Sequence, residues 1–129
     1  MNFKRKESFR FVFNEPIEAT YEVYINGNRV NSETYPAKIL DISPRGLKLF
    51  CGKEMEEFLR NDALQLAIHF VLDVTPIQTL GDIVWNKSLG KGVQCGVVLT
   101  TEEEIDKLII SEMKQRRKKE VLQAKQRKS

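Results

Sequence analysis

Apolar residues recur at every second position over much of this chain, and that period constrains the fold before any motif is read. Ile17, Ala19, Tyr21, Val23 and Ile25 share one face of an extended segment, with Glu18, Thr20, Glu22 and Tyr24 on the other. Such alternation belongs to a strand buried on one side, because successive side chains of a strand point to opposite faces. Asn26-Gly27-Asn28 then reads as a reversal. A second strand is expected near Tyr35 to Ile42, and after the turn Ser43-Pro44-Arg45-Gly46 a third carries Leu47, Leu49 and Cys51 inward. Leu64, Leu66, Ile68, Phe70, Leu72 and Val74 alternate in a fourth. Pro76 interrupts it, and Ile77 to Trp85 and Val93 to Leu99 supply two more. Six strands with short connections predict a mainly β fold, a six-stranded antiparallel β-barrel.

The period changes near residue 101. Thr101-Glu102-Glu103-Glu104 has the form of a capping box, with acids where the helix dipole favours them. Ile105, Leu108, Ile109 and Met113 recur at three- and four-residue spacing, so a C-terminal α-helix is expected to lay that face on the barrel. Beyond Met113 the apolar stripe thins to Val121 and Leu122, and a helix there is expected to project, fray or find a partner. Glu54 to Leu59 reads as a short helical turn. At 129 residues the chain is one folding unit by size. Its expected parts are a flexible basic N-terminal segment over 1–14, a barrel over 15–100 and a helix with basic tail over 101–129.

Charge is unevenly spread. Of 21 Lys and Arg against 18 Asp and Glu, eight basic residues and two Glu fall between Glu112 and Ser129, so the preceding residues are mildly acidic. The overall basic balance therefore belongs to a tail and a short head, and a nucleic-acid partner is not the expectation. No apolar run approaches the ~20 residues that span a bilayer, and Met-Asn-Phe-Lys-Arg-Lys has no signal-peptide core, so no membrane insertion and a cytoplasmic location are expected. Cys51 and Cys95 form no CxxC and have no neighbouring His, which argues against a disulfide framework or a zinc site and for buried thiols. His69 stands alone on an outward face and Trp85 is in phase with the core. No Ser, Cys or carboxylate constellation suggests catalysis, no metal or cofactor is implied, and a binding module is expected rather than an enzyme.

Two polar elements stand apart from the barrel pattern. Arg5-Lys6-Glu7-Ser8-Phe9-Arg10 is a basic segment ahead of the first strand, and Asp41-Ile42-Ser43-Pro44-Arg45-Gly46 is a turn with a carboxylate, a hydroxyl and a glycine at fixed offsets. An arginine fork meets the adjacent N7 and O6 acceptors of a guanine, and phosphates need cations and backbone donors. Asp41 can accept from a guanine amine or a ribose hydroxyl, Ser43 can bond a phosphate or base edge, and Gly46 lets a backbone come close.

In this order the two elements resemble the signature of the PilZ domain, a bacterial receptor module for cyclic di-GMP. Its pattern is RxxxR followed some tens of residues later by [D/N]xSxxG. The second half matches in full. In the first half, aligned on Arg10, the leading arginine is replaced by Lys6, with Arg5 one position upstream; lysine keeps the charge for a phosphate but not the two-pronged guanine contact. Trp85 and Gly96-Val97-Val98-Leu99 extend the resemblance over roughly residues 5 to 100.

The resemblance implies a PilZ-like barrel followed by a C-terminal helix, and a ligand site made of Arg5, Lys6, Phe9, Arg10, Asp41, Ser43, Arg45 and Gly46. It implies an N-terminal segment that orders over cyclic di-GMP and signals to an unidentified protein effector. Self-association through the C-terminal helix stays open. So do two other readings, a PilZ-like interaction adaptor without ligand and a small β-barrel that binds nucleic acid.

Overall fold

The computed structural model describes residues 10–100 and 102–128, with side chains to residue 125. The strands are β1 (Phe11–Ile25), β2 (Asn28–Arg29), β3 (Tyr35–Ser43), β4 (Gly46–Gly52), β5 (Leu64–Val71), β6 (Pro76–Leu89) and β7 (Gly92–Leu99). The helices are α1 (Met55–Phe58) and α2 (Glu103–Lys128). All pairings are antiparallel, in the order β2-β1-β3-β4-β7-β6-β5, and an additional β1–β5 pairing closes six of the strands into a barrel. Closure removes the open edges that would otherwise template association.

β1 makes closure possible because it is long enough to serve two partners. Phe11 to Tyr21 run against β3 and Ala19 to Ile25 against β5, so the strand passes from one neighbour to the other along its length. Between Val12 and Ile17 the register with β3 slips, at a stretch containing Pro16, which has no N–H to donate. β1 begins at Phe11, so four residues of the segment 1–14 are strand. Asn26 and Gly27 both take positive φ, 55° and 79°, as the two-residue turn before the short β2 requires.

The predicted inward faces form the core: Tyr21, Val23, Ile39, Leu49, Leu66, Ile68, Val93 and Cys95 are all fully buried. The fourth strand ends earlier than its alternation suggests. Leu72 is buried but lies in the turn after β5, and Val74 is exposed. At one end of the barrel Met55 of α1 is buried and Phe58 meets Tyr35 edge-on, while Tyr35 stacks on Tyr21. Cys51 and Cys95 are buried and unbridged; a hydrogen bond to Cys95 together with burial pushes the Cys51 thiol up, so it stays neutral.

Helix α2 packs against the barrel through Ile109 and Met113, as its spacing predicts. Its docking is also polar. Glu112 Oε1 accepts the backbone N–H groups of Asp73, Val74 and Thr75, each at 3.0 Å. One turn on, Arg116 Nη1 donates to the Leu72 carbonyl at 2.9 Å and Lys119 pairs with Asp73 at 2.8 Å. The Arg116 and Arg117 guanidinium groups lie over the rings of Phe13 and Phe11, 5.4 and 5.7 Å from their centroids. The helix continues beyond Met113 because these contacts take over where the apolar stripe ends. Thr101, the first residue of the expected capping box, is outside the described residues.

Candidate functional site

Two β-bulges decide which side chains reach the outer face. On β3, Ile39 pairs with Leu49 and Asp41 with Lys48, so Leu40 is an extra residue. Strict alternation would point Asp41 and Ser43 inward with Ile39; the bulge instead turns Ile42 inward and sets Asp41 on the outside opposite Lys48. On β6, Ile83 pairs with Val97 and Trp85 with Gly96, so Val84 is extra. This bulge turns Trp85 outward. The indole expected in the core is 43% exposed for that reason.

The result is a row across four strands. Asp41 on β3 faces Lys48 on β4, Lys48 faces Gly96 on β7, and Gly96 faces Trp85 on β6. Ser43, Gly46 and Val98 form the next row. Gly96 is required by close approach, since a Cβ there would overlap the Trp85 ring, so the indole lies along the sheet over the glycine. Gly46 is similarly confined: a Cβ would stand 2.8 Å from the Val97 carbonyl oxygen.

Arg10, Ser43, Arg45, Gly46, Lys48, Trp85 and Val98 line a groove of about 340 Å³ on this face. Asp41 stands behind the groove wall, its side chain 7% exposed, and carries a cation on each oxygen. Arg10 Nη1 donates to Oδ1 at 2.5 Å, and Lys48 Nζ lies 3.5 Å from Oδ2. Pairing of this kind is what lets a carboxylate stay charged out of water. Ser43 is buried, and its hydroxyl donates to the Gly46 carbonyl at 3.2 Å, which tightens the turn. Arg45 accepts the Leu99 N–H on its carbonyl at 2.9 Å and so ties that turn to the end of β7.

Of the predicted site residues, Arg10, Asp41, Ser43, Arg45 and Gly46 converge here. Arg5, Lys6 and Phe9 lie outside the described residues. Sequence reasoning missed Lys48 and the outward Trp85, and nothing in a period-two pattern announces the bulges that expose them. His69 is where it was expected, on the outer face, with Nε2 3.1 Å from Glu22 Oε2. Among the described residues no group of three His, Cys, Asp or Glu side chains is placed to hold a metal ion, and no helix is long and apolar enough to cross a membrane.

The groove brings together the groups that a flat, anionic ligand would use. Two arginines and a lysine supply charge, the indole supplies a stacking face, and the glycines let the ligand approach the sheet. Comparison of the sequence with curated proteins finds no match. The family model of the PilZ domain matches residues 4–113, a span that holds both sequence motifs, every barrel strand and the part of α2 that seals the barrel, and the chain therefore belongs to the PilZ domain family, whose members are generally receptors for cyclic di-GMP.

Proposed function

We propose that this protein is a cyclic di-GMP receptor that binds the dinucleotide in the groove between Arg10 and Trp85 and passes the event to a protein partner. The observation that carries the reading is the row Asp41–Lys48–Gly96–Trp85 beside Arg10, which puts cations and an exposed aromatic face side by side on the motif-bearing strands. A guanine stacks on the Trp85 indole, a contact worth about 1–3 kcal/mol per base. Arg10 offers its fork to N7 and O6, and Arg45 and the turn amides serve the phosphates. Arg5, Lys6 and Phe9 then close from the N-terminal side, and the ordering of that segment is the signal a partner reads.

In this reading the protein works as a binding module, as PilZ domains generally do. In the groove Ser43 spends its hydroxyl on the Gly46 carbonyl, and the buried thiols belong to the core. Isothermal titration with cyclic di-GMP tests the reading. The native chain is expected to bind, and Arg10→Ala and Asp41→Ala each to lose roughly tenfold to a hundredfold, the equivalent of one guanine fork. Absence of heat with the native chain, or unchanged affinity in both variants, defeats it.

A further inference from the structure

The two cations on Asp41 are not equivalent. Lys48 sits in the middle of β4, paired on one side with Asp41 of β3 and on the other with Gly96 of β7, so its backbone is fixed by two ladders. Arg10 precedes β1 and belongs to no ladder. Its side chain is 51% exposed against 36% for Lys48. One cation is anchored by two ladders and the other by none. They also occupy different oxygens, Arg10 on Oδ1 and Lys48 on Oδ2, so the departure of one need not disturb the other.

Resting on the cyclic di-GMP reading above, we propose that Lys48 is the standing counter-ion of Asp41, and that its presence is what allows Arg10 to leave the carboxylate for the ligand. In the free protein Arg10 is parked on Oδ1. An arginine that keeps Nη1 on a carboxylate has only part of its fork for a guanine, so full engagement requires it to turn away. If Asp41 had no other cation, that turn would strand a carboxylate whose side chain is almost wholly out of water, which is strongly unfavourable. With Lys48 held against Oδ2 the carboxylate keeps a partner. Oδ1 is then vacant to accept an amine or hydroxyl hydrogen from the ligand. Among the described residues Arg10 and Lys48 are the charged groups within ion-pair reach of Asp41.

Lys48 is thus a positioning residue that acts through Asp41, and its signature is dependence on the Asp41 charge. The test is a titration series with cyclic di-GMP on the native chain, Lys48→Met, Lys48→Arg, Asp41→Asn and the Lys48→Met/Asp41→Asn pair. Lys48→Met, which keeps the alkyl stem, is expected to lose about tenfold or more in affinity, and Lys48→Arg to restore most of it. In the Asp41→Asn background, which still satisfies the family pattern, Lys48→Met is expected to change affinity by less than about twofold, because no carboxylate is left to strand. A loss of the same size in both backgrounds would mean that Lys48 merely touches a phosphate, and would overturn the proposal.

A second arm needs no ligand. Thermal midpoints of Arg10→Ala, Lys48→Met and the double variant are expected to show a drop in the double that exceeds the two single drops together, since only then has Asp41 lost both the Arg10 and the Lys48 charge. Additive drops refute the counter-ion role. A native chain that binds no cyclic di-GMP, while the midpoints still show the excess, would instead remove the proposed function and leave the shared counter-ion standing.

Discussion

Replacing Glu112 by alanine removes the acceptor that holds α2 to the turn after β5. Glu112 is buried, and its Oε1 takes three backbone N–H groups at 3.0 Å. Hydrogen bonds to a charged group contribute about 1.5–3 kcal/mol each, but three that share one oxygen do not add, and a loosened turn regains some water, so the loss is about 3 kcal/mol. A chain of 129 residues unfolds with an entropy of about 0.27 kcal/mol/K, which converts that loss to a fall in midpoint of about 11 °C. Glu112→Gln keeps an oxygen without its charge and is expected to lose about half as much, since charge-assisted bonds are roughly twice as strong as neutral ones.

The pH dependence follows from the same bonds. Burial pushes the Glu112 carboxyl up, but the three N–H groups outweigh it and hold the carboxyl below its ordinary 4.5. A group depressed in the folded state stabilises at every pH above its unfolded value, and the contribution is lost as pH falls through the folded value. The gap between native and Glu112→Gln should therefore be constant from pH 8 to about 5 and close below 4.5. Circular dichroism melts across that range read both quantities. A Glu112→Ala midpoint within about 2 °C of native, less than 1 kcal/mol by the same conversion, or a gap that persists undiminished at pH 3, would refute the clip.

Gly96→Ala forces the Trp85 ring off the sheet, at a cost of about 1–3 kcal/mol for overpacking, so the tryptophan emission should shift and the midpoint fall together; an unchanged spectrum and midpoint would show that the indole does not lie over Gly96. Phe13→Leu keeps an apolar side chain against the core but removes the ring beneath Arg116, worth about 0.5–1 kcal/mol as a partly exposed cation–π contact, while Arg116 keeps its bond to the Leu72 carbonyl. Its midpoint should fall by only a few degrees, and a fall as large as that of Glu112→Ala would mean that the aromatic contact, not the Glu112 clip, holds the helix.

The barrel was legible because its core is built by the most periodic part of the chain. Ile17 to Ile25 and Leu47 to Cys51 alternate without fault, and closure needs only that β1 outlast one partner and reach another. The helix was legible through Ile109 and Met113. What holds it further on was not, because Glu112, Arg116 and Lys119 read as a solvated face until their partners at Leu72 to Thr75 are known. The site was legible as motif residues but not as a surface. Asp41 shares the sequence phase of Ile39, and Trp85 that of Ile83, so period two assigns both to the core. Each is turned out by one extra residue, Leu40 or Val84, and a single-residue bulge leaves no mark on composition or spacing. Lys48 escaped notice for the same reason: its importance comes from a strand pairing across the bulge.

The most direct test of the central claim is a nuclear magnetic resonance titration of the labelled full chain with cyclic di-GMP. Saturable shifts are expected at the backbone amides of Asp41 to Lys48 and of Gly96 to Val98, and at the Trp85 indole N–H, with the amides of the α1 end left unmoved. Absence of shifts at a ligand excess, or shifts confined to the basic half of α2, would contradict a dinucleotide site between Arg10 and Trp85.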